Sequence, residues 1–240
     1  MLIGGWMAIT AYDIKQLLAF STVSQLGLIV AYYGFGAGRL GTGELLTLDL
    51  LLVLSHALFK GGLFMMCGVI DHGTHTRDWR RLGGLWRKMP ATAALTIIGC
   101  ASMAGMPLTF GFVAKKLFFD ASWHWEGATG ALRLALFAGA VLASCITMAY
   151  CLRVAISPFF GKPREQDIFD HAHEAGPGLL LAPALLILPT LAAGLWVPLL
   201  SEPLGRLANA AYYAVEAHYK VGMFKKLDFM FVVSMAIYAA

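Results

Sequence analysis

The chain has 240 residues, of which 59% are hydrophobic and 13% charged, and its mean hydropathy is +0.70. Soluble domains run at roughly 45–50% apolar and about 25% charged, so this composition excludes an ordinary globular protein and, equally, a disordered chain, which needs low hydrophobicity and high net charge. The net charge of +4 comes from basic residues placed at the ends of apolar segments rather than along a basic stripe, an arrangement that sets membrane topology and argues against nucleic-acid binding.

The first ten residues, MLIGGWMAIT, are apolar from the start and lack the charged leader and small-residue cleavage site of a secretory signal. Residues 1–10 and 229–240 each read as half a span, since crossing takes about 20 residues, and the expectation is a fragment. Apolar runs of spanning length fall at 16–36, 45–70, 131–156 and 178–200, with a fifth, interrupted run at 91–121. They are too long and too unalternating for barrel strands, so the predicted fold is all-α, a polytopic transmembrane helical bundle with one broken helix. Taken alternately, the connections place nine basic residues on one side (Lys15, Arg77, Arg80, Arg81, Arg87, Lys88, Arg153, Lys162, Arg164) and four on the other (Arg39, Arg133, Arg206, Lys220). That bias puts residues 11–15, 71–90 and 157–177 in the cytoplasm. Residues 1–200 read as one transmembrane domain, 201–220 as an interfacial segment and 221–240 as a further partial span. Cys67, Cys100, Cys145 and Cys151 lie within apolar runs with no CxxC pattern and read as packing residues.

Two segments carry ionisable groups at a depth where they are costly. In LTLDLLLVLSHALFKGGLFMMCGVI, His56 and Lys60 fall within roughly 5 Å of the middle of the run at 1.5 Å per residue. A lysine or aspartate there costs about 2.5–3.5 kcal/mol on insertion scales, and such groups face a protein interior or a watery cavity. At 100° per residue Asp49 to His56 is about 20° short of two turns and Asp49 to Lys60 about 20° past three, so all three share a face. An acid, an imidazole and an amine in one stripe suit a water-assisted proton relay. The alternative, a snorkelling Lys60, is opposed by the ten apolar or small residues between it and the loop.

In IIGCASMAGMPLTFGFVAKKLFFDA, Gly105, Pro107 and Gly111 break the helix within seven residues. Broken membrane helices line cavities and offer half-helix ends to ions. Lys115 and Lys116 follow the break, and Asp120 stands one turn after Lys116, at ion-pairing distance. The alternative is a helix that ends at the surface with a snorkelling lysine pair. The loop groups Asp71, His72, His75 and Asp78, and Asp170, His171, His173 and Glu174, are metal-ligating types, yet neither completes a ligand set at fixed spacing. No metal or cofactor is expected.

The stretches AYDIKQLLAFSTVSQLGLI (11–29), LSHALFKGGLFMMCGVIDHGTHTRD (54–78), LGGLW (82–86) and AGMPLTFGFVAKKLFFDA (104–121) together resemble the proton-conducting antiporter-like membrane subunits shared by respiratory complex I and the multisubunit Mrp-type Na+/H+ antiporters. IDHGTHTRD and KKLFFDA look most like the large A-type Mrp subunit. The resemblance implies inverted five-helix repeats, each with one broken helix, of which this chain matches the second, and a mid-membrane row of lysines, histidines and water. It implies that His56 and Lys60 are the central histidine and lysine, Lys115 the terminal lysine on the broken helix, and Lys15 the cytoplasmic-edge lysine, with Ser21, Thr22, Ser24 and Gln25 on the polar helix that follows. Two departures stand out. The family's acid directly after the terminal lysine is here Lys116, so that the partner role either falls to Asp120 or is altered, and the first repeat is absent.

The resemblance further implies a hetero-oligomeric antiporter complex in a bacterial-type inner membrane, with other membrane subunits as partners, and protons and a monovalent cation, sodium, as cargo. Competing readings are a component of a redox-driven complex I-like assembly or hydrogenase, a truncated product that packs without conducting, and a membrane metal hydrolase built on the loop histidines. The buried stripe favours transport over hydrolysis, because no nucleophile or metal shell accompanies those histidines.

Overall fold

The computed structural model describes residues 1–36, 42–123 and 130–196, together with 202, 203, 206, 235 and 236. In chain order the helices are α1 (Leu2–Thr10), α2 (Ile14–Gly36), α3 (Thr42–Thr74), α4 (Pro90–Ala104), α5 (Phe110–Trp123), α6 (Gly130–Ile156), α7 (Gln166–His171) and α8 (Pro177–Leu195), with a short 3₁₀ turn at Leu85–Arg87. Segments long and apolar enough to cross a membrane lie in α2, α3, α6 and α8. The all-helical, multi-pass architecture follows from hydropathy as expected; among the described residues β pairing is confined to an isolated bridge between Asp13 and Asp78. The expected interfacial segment at 201–220 and the partial span at 221–240 fall almost wholly outside the described residues, as do Arg39 and Lys220.

Helix α3 outruns its apolar stretch, continuing through Asp71, His72 and Gly73 to Thr74. Hydropathy marks where lipid ends, whereas the backbone ladder continues as long as each carbonyl finds a donor. Thr74 extends it by donating its hydroxyl to the Ile70 carbonyl at 2.7 Å. Helix α3 packs against α2, α4, α5 and α8, which places its face of ionisable groups inside the bundle.

The interrupted run resolves into α4 and α5 with a bend between. At the end of α4 Gly105 takes a left-handed conformation (φ 77°). Its N–H bonds the Ser102 carbonyl at 3.0 Å while the Met106 N–H bonds that of Ala101 at 2.9 Å. These are the two bonds of a Schellman closure, with Pro107 just beyond where the helix cannot resume. Thr109 restarts the chain, its hydroxyl donating to the Met106 carbonyl at 2.6 Å and its own carbonyl accepting from Phe112 N–H at 3.1 Å. At Gly111 the two half-helices nearly touch: a Cβ there would lie 1.7 Å from the Ser102 carbonyl oxygen.

Three connections interlock at one end of the bundle. Ile14 N–H bonds the Arg77 carbonyl at 2.9 Å, and Trp79 N–H that of Tyr12 at 3.2 Å. The Leu85 and Trp86 N–H groups bond the carbonyls of Pro158 (3.2 Å) and Phe159 (3.0 Å). Arg81 forks onto Glu165 at 2.6 and 2.7 Å, and Arg164 bonds the Trp79 carbonyl at 2.6 Å. The loops 11–15, 71–90 and 157–177 therefore share one side, as the alternation of spans required, and α4 with α5 together make one crossing.

Candidate functional site

Each ionisable residue singled out within the spans has a definite place. On α3, Lys60 is 4% exposed and Asp49 8%, and His56 is partly buried. Lys60 reaches across to α2, where its ammonium donates to the Leu18 carbonyl at 3.2 Å and to the Ser21 hydroxyl; that hydroxyl in turn donates to the same carbonyl at 2.8 Å. The Leu18 carbonyl, which also accepts from the Thr22 hydroxyl at 2.9 Å, and the Ser21 hydroxyl on the same turn together make a polar seat inside an apolar wall. The lysine of α3 and the serine run of α2 are thus one unit. Charged or neutral, an amine held by two oxygens can exchange a proton without moving far.

On α5, Lys115 is 6% exposed and folds back over the break, donating to the Ala104 carbonyl at 2.5 Å. That carbonyl belongs to the last residue of α4, the end that carries the partial negative charge of the helix dipole. Beside Lys115 lies a cavity of about 20 Å³ whose polar lining comes from Gln25 (α2), Ser55 and His56 (α3), Ser102 (α4) and Lys115 (α5). Among the described residues, four buried side-chain atoms lack a partner within the chain: Asp49 Oδ1, Ser55 Oγ, His56 Nδ1 and Ser102 Oγ. Three of the four belong to residues that line this cavity. Its volume matches the roughly 10–15 Å³ or more that one water requires, and it offers the two to four polar partners that hold one. A side branch leaves it through Gln25, whose amide donates to the Tyr150 hydroxyl at 3.5 Å; Tyr150 donates on to Thr147 at 3.2 Å.

The structure therefore brings His56 and Lys115 to one cavity, seats Lys60 one turn further along α3 against α2, and buries Asp49 on α3. Lys116 and Asp120, next round α5 and one turn on, are partly buried. Lys15 is exposed on the first turn of α2, in the interlocked loop end and apart from the cavity. Sequence reasoning missed Ser55, Ser102, Tyr150 and Thr147. For the α6 pair a signal existed: Ser144, Thr147 and Tyr150 recur every three residues in the apolar middle of their helix. Among the loop histidines, the rings of His72 and His173 meet edge to face at 5.9 Å, and among the described residues no group of three or more metal-ligating side chains gathers.

At the interlocked end the ion pairs are strong in geometry. Hydrogen bonds from the Arg80 guanidinium hold the Asp78 carboxyl below the usual carboxylate range, and Arg81 does the same for Glu165.

Buried lysines on α3 and on α5, the latter just past a helix break, define a multi-pass helical membrane protein that holds ionisable groups in its core. The family model described as NADH:quinone oxidoreductase/Mrp antiporter, TM, matches residues 1–147, and the chain belongs to that family. It is 38% identical over 200 residues to the A subunit of the Na(+)/H(+) antiporter of Alkalihalophilus pseudofirmus, covering 78% of this chain and 25% of that protein. Its Bacillus subtilis counterpart is likewise 38% identical, over 199 residues, with the same coverage. Among solved structures, the Mrp complex from a Dietzia species superimposes with a TM-score of 0.82 at 32% identity, covering 99% of this chain and 25% of that one. Respiratory complex I from Thermus thermophilus with bound NADH superimposes with a TM-score of 0.67 at 27% identity, covering 86% and 41%. The chain spans about a quarter of the length of the curated relatives it matches.

Proposed function

We propose that this chain forms the second-repeat proton pathway of a multisubunit monovalent cation/proton antiporter, sodium being the coupled ion, in a bacterial-type inner membrane with the interlocked loops in the cytoplasm. Residues 1–200 act as its transmembrane domain beside other membrane subunits. The observation that carries the reading is the cavity shared by His56 and Lys115, one turn of α3 from Lys60, with three otherwise unpartnered polar atoms on its lining residues. A proton passes between Lys60 and His56 along α3, crosses the cavity through water held by Ser55 and Ser102, and reaches Lys115. Asp49 extends the row toward the far side of the membrane, Lys15 stands at its cytoplasmic edge, and Asp120 pairs with Lys116, leaving Lys115 as the proton carrier of the two adjacent lysines. No bond other than those to protons is made or broken. Antiport is favoured over a redox-driven role because the Mrp complex superimposes more closely, with a TM-score of 0.82 at 32% identity, than complex I, at 0.67 and 27%.

The test is ion exchange by the intact complex carrying Lys115→Ala or Lys116→Ala. Lys115→Ala should stop exchange while Lys116→Ala retains it. An inactive Lys116→Ala beside an active Lys115→Ala would reverse the assignment.

A further inference from the structure

The first turn of α4 is held from outside its own sequence. Met89, at the N-cap, supplies no side-chain cap, and Pro90 has no N–H to satisfy. Ala93 N–H bonds the Met89 carbonyl at 2.9 Å. The two remaining donors of that turn, Ala91 N–H at 2.7 Å and Thr92 N–H at 3.3 Å, both go to Glu174 Oε2, and the Thr92 hydroxyl donates to Glu174 Oε1. One carboxylate, more than 80 residues downstream, thus completes the N-terminus of the broken helix, where negative charge also complements the dipole.

The other end of the same helix carries the carbonyl on which Lys115 rests. Its 15 residues make a rod of about 22 Å, and a hydrogen-bonded helix transmits an axial shift along its length. The loop holding Glu174 is itself wedged against α3: the His173 carbonyl lies 2.7 Å from where a Cβ on Gly73 would sit. Glu174 therefore ties the height of α4 to α3, the helix that bears His56 and Lys60.

We infer that Glu174 is a positioning residue for proton transfer at Lys115, acting through α4 by fixing where the Ala104 carbonyl stands. This rests on Lys115 being the terminal carrier. The glutamate supplies two acceptor oxygens to the helix start.

The experiment compares Glu174→Ala, Glu174→Gln and Lys115→Ala in the full antiporter complex, reading cation-driven proton flux against pH alongside assembly on native gels. Glutamine keeps an acceptor for Ala91 N–H and should stay near wild type. Alanine should lower flux by roughly tenfold to a hundredfold, the upper figure corresponding to displacement of a transfer partner by about 1 Å, and displace the pH profile. Arg81→Gln, which breaks an ion pair on the same surface, should leave the profile in place. An assembled Glu174→Ala complex with wild-type flux and profile overturns the inference, as does Glu174→Gln behaving like alanine. If Glu174→Ala fails to assemble, Thr92→Val decides: a displaced profile supports the role and an unchanged one overturns it. An active Lys115→Ala would instead sink the underlying pathway reading.

Discussion

Gly111→Ala should separate the two halves of the broken helix without touching any ionisable group. The added Cβ would lie 1.7 Å from the Ser102 carbonyl oxygen and 2.8 Å from its carbon, both main-chain atoms with no flexible end to swing away. Carbon and carbonyl oxygen settle at about 3.3 Å or more, so α5 must retreat from α4 by about 1.6 Å. Lys115, one turn on from Gly111, moves with it, and its 2.5 Å bond to the Ala104 carbonyl stretches beyond hydrogen-bonding range. Overpacking of this kind costs roughly 1–3 kcal/mol, which a bundle of this size tolerates, whereas a 1 Å misplacement of a transfer partner lowers rates by roughly a hundredfold. Sodium-driven pH change in inverted vesicles, normalised to assembled complex, reads the effect. Gly139→Ala on α6, where a Cβ meets nothing within 4 Å, is the control and should transport normally. Wild-type flux by an assembled Gly111→Ala complex would refute the claim that contact between the half-helices positions Lys115.

Ser102→Ala removes a hydroxyl with no partner in the chain, so thermal stability should hold or rise while proton flux falls severalfold; a destabilised variant with normal flux would make the serine structural. Single cysteines at Arg87 and Gln166, in a background without the native four, should resist impermeant thiol reagents added outside sealed cells, and labelling of both would invert the topology. Because Arg80 and Arg81 depress the Asp78 and Glu165 carboxyls in the folded state, their contribution is present above the ordinary carboxylate pKa and lost as pH falls through the lowered values. The interlocked loops should then loosen only in the acid range below about pH 4. Spin labels at Arg87 and Gln166 would show a broadened distance distribution there, and an unchanged one would remove these pairs from the account.

What was legible in the sequence was whatever lipid makes expensive. A lysine and a histidine mid-span, and Gly105, Pro107 and Gly111 in one run, stand out because each conflicts with a continuous apolar helix; the structure buries Lys60, partly buries His56, bends at Gly105 and Pro107, and packs the half-helices together at Gly111. Partners were not legible. The seat of Lys60 on Leu18 and Ser21 joins residues about 40 apart, and the Glu174 cap spans more than 80; one-dimensional spacing holds no record of either. Ser55 and Ser102 escaped notice because a serine in a membrane helix ordinarily bonds its own preceding turn, as Ser21 does and these two do not. Their hydroxyls gain meaning only once a cavity is seen to join them. Helix α7 lies within a connection read as loop, its 6 residues being too few for a periodic signal.

Lys60 bears the most direct test, since it is buried at 4% exposure with its ammonium held by Leu18 and Ser21. The measurement is sodium-driven proton flux in proteoliposomes containing the complete antiporter with Lys60→Ala, set against wild type at equal assembled protein. The proposed pathway predicts full assembly with flux at the level of empty liposomes. Flux at the wild-type rate from an assembled Lys60→Ala complex would contradict it.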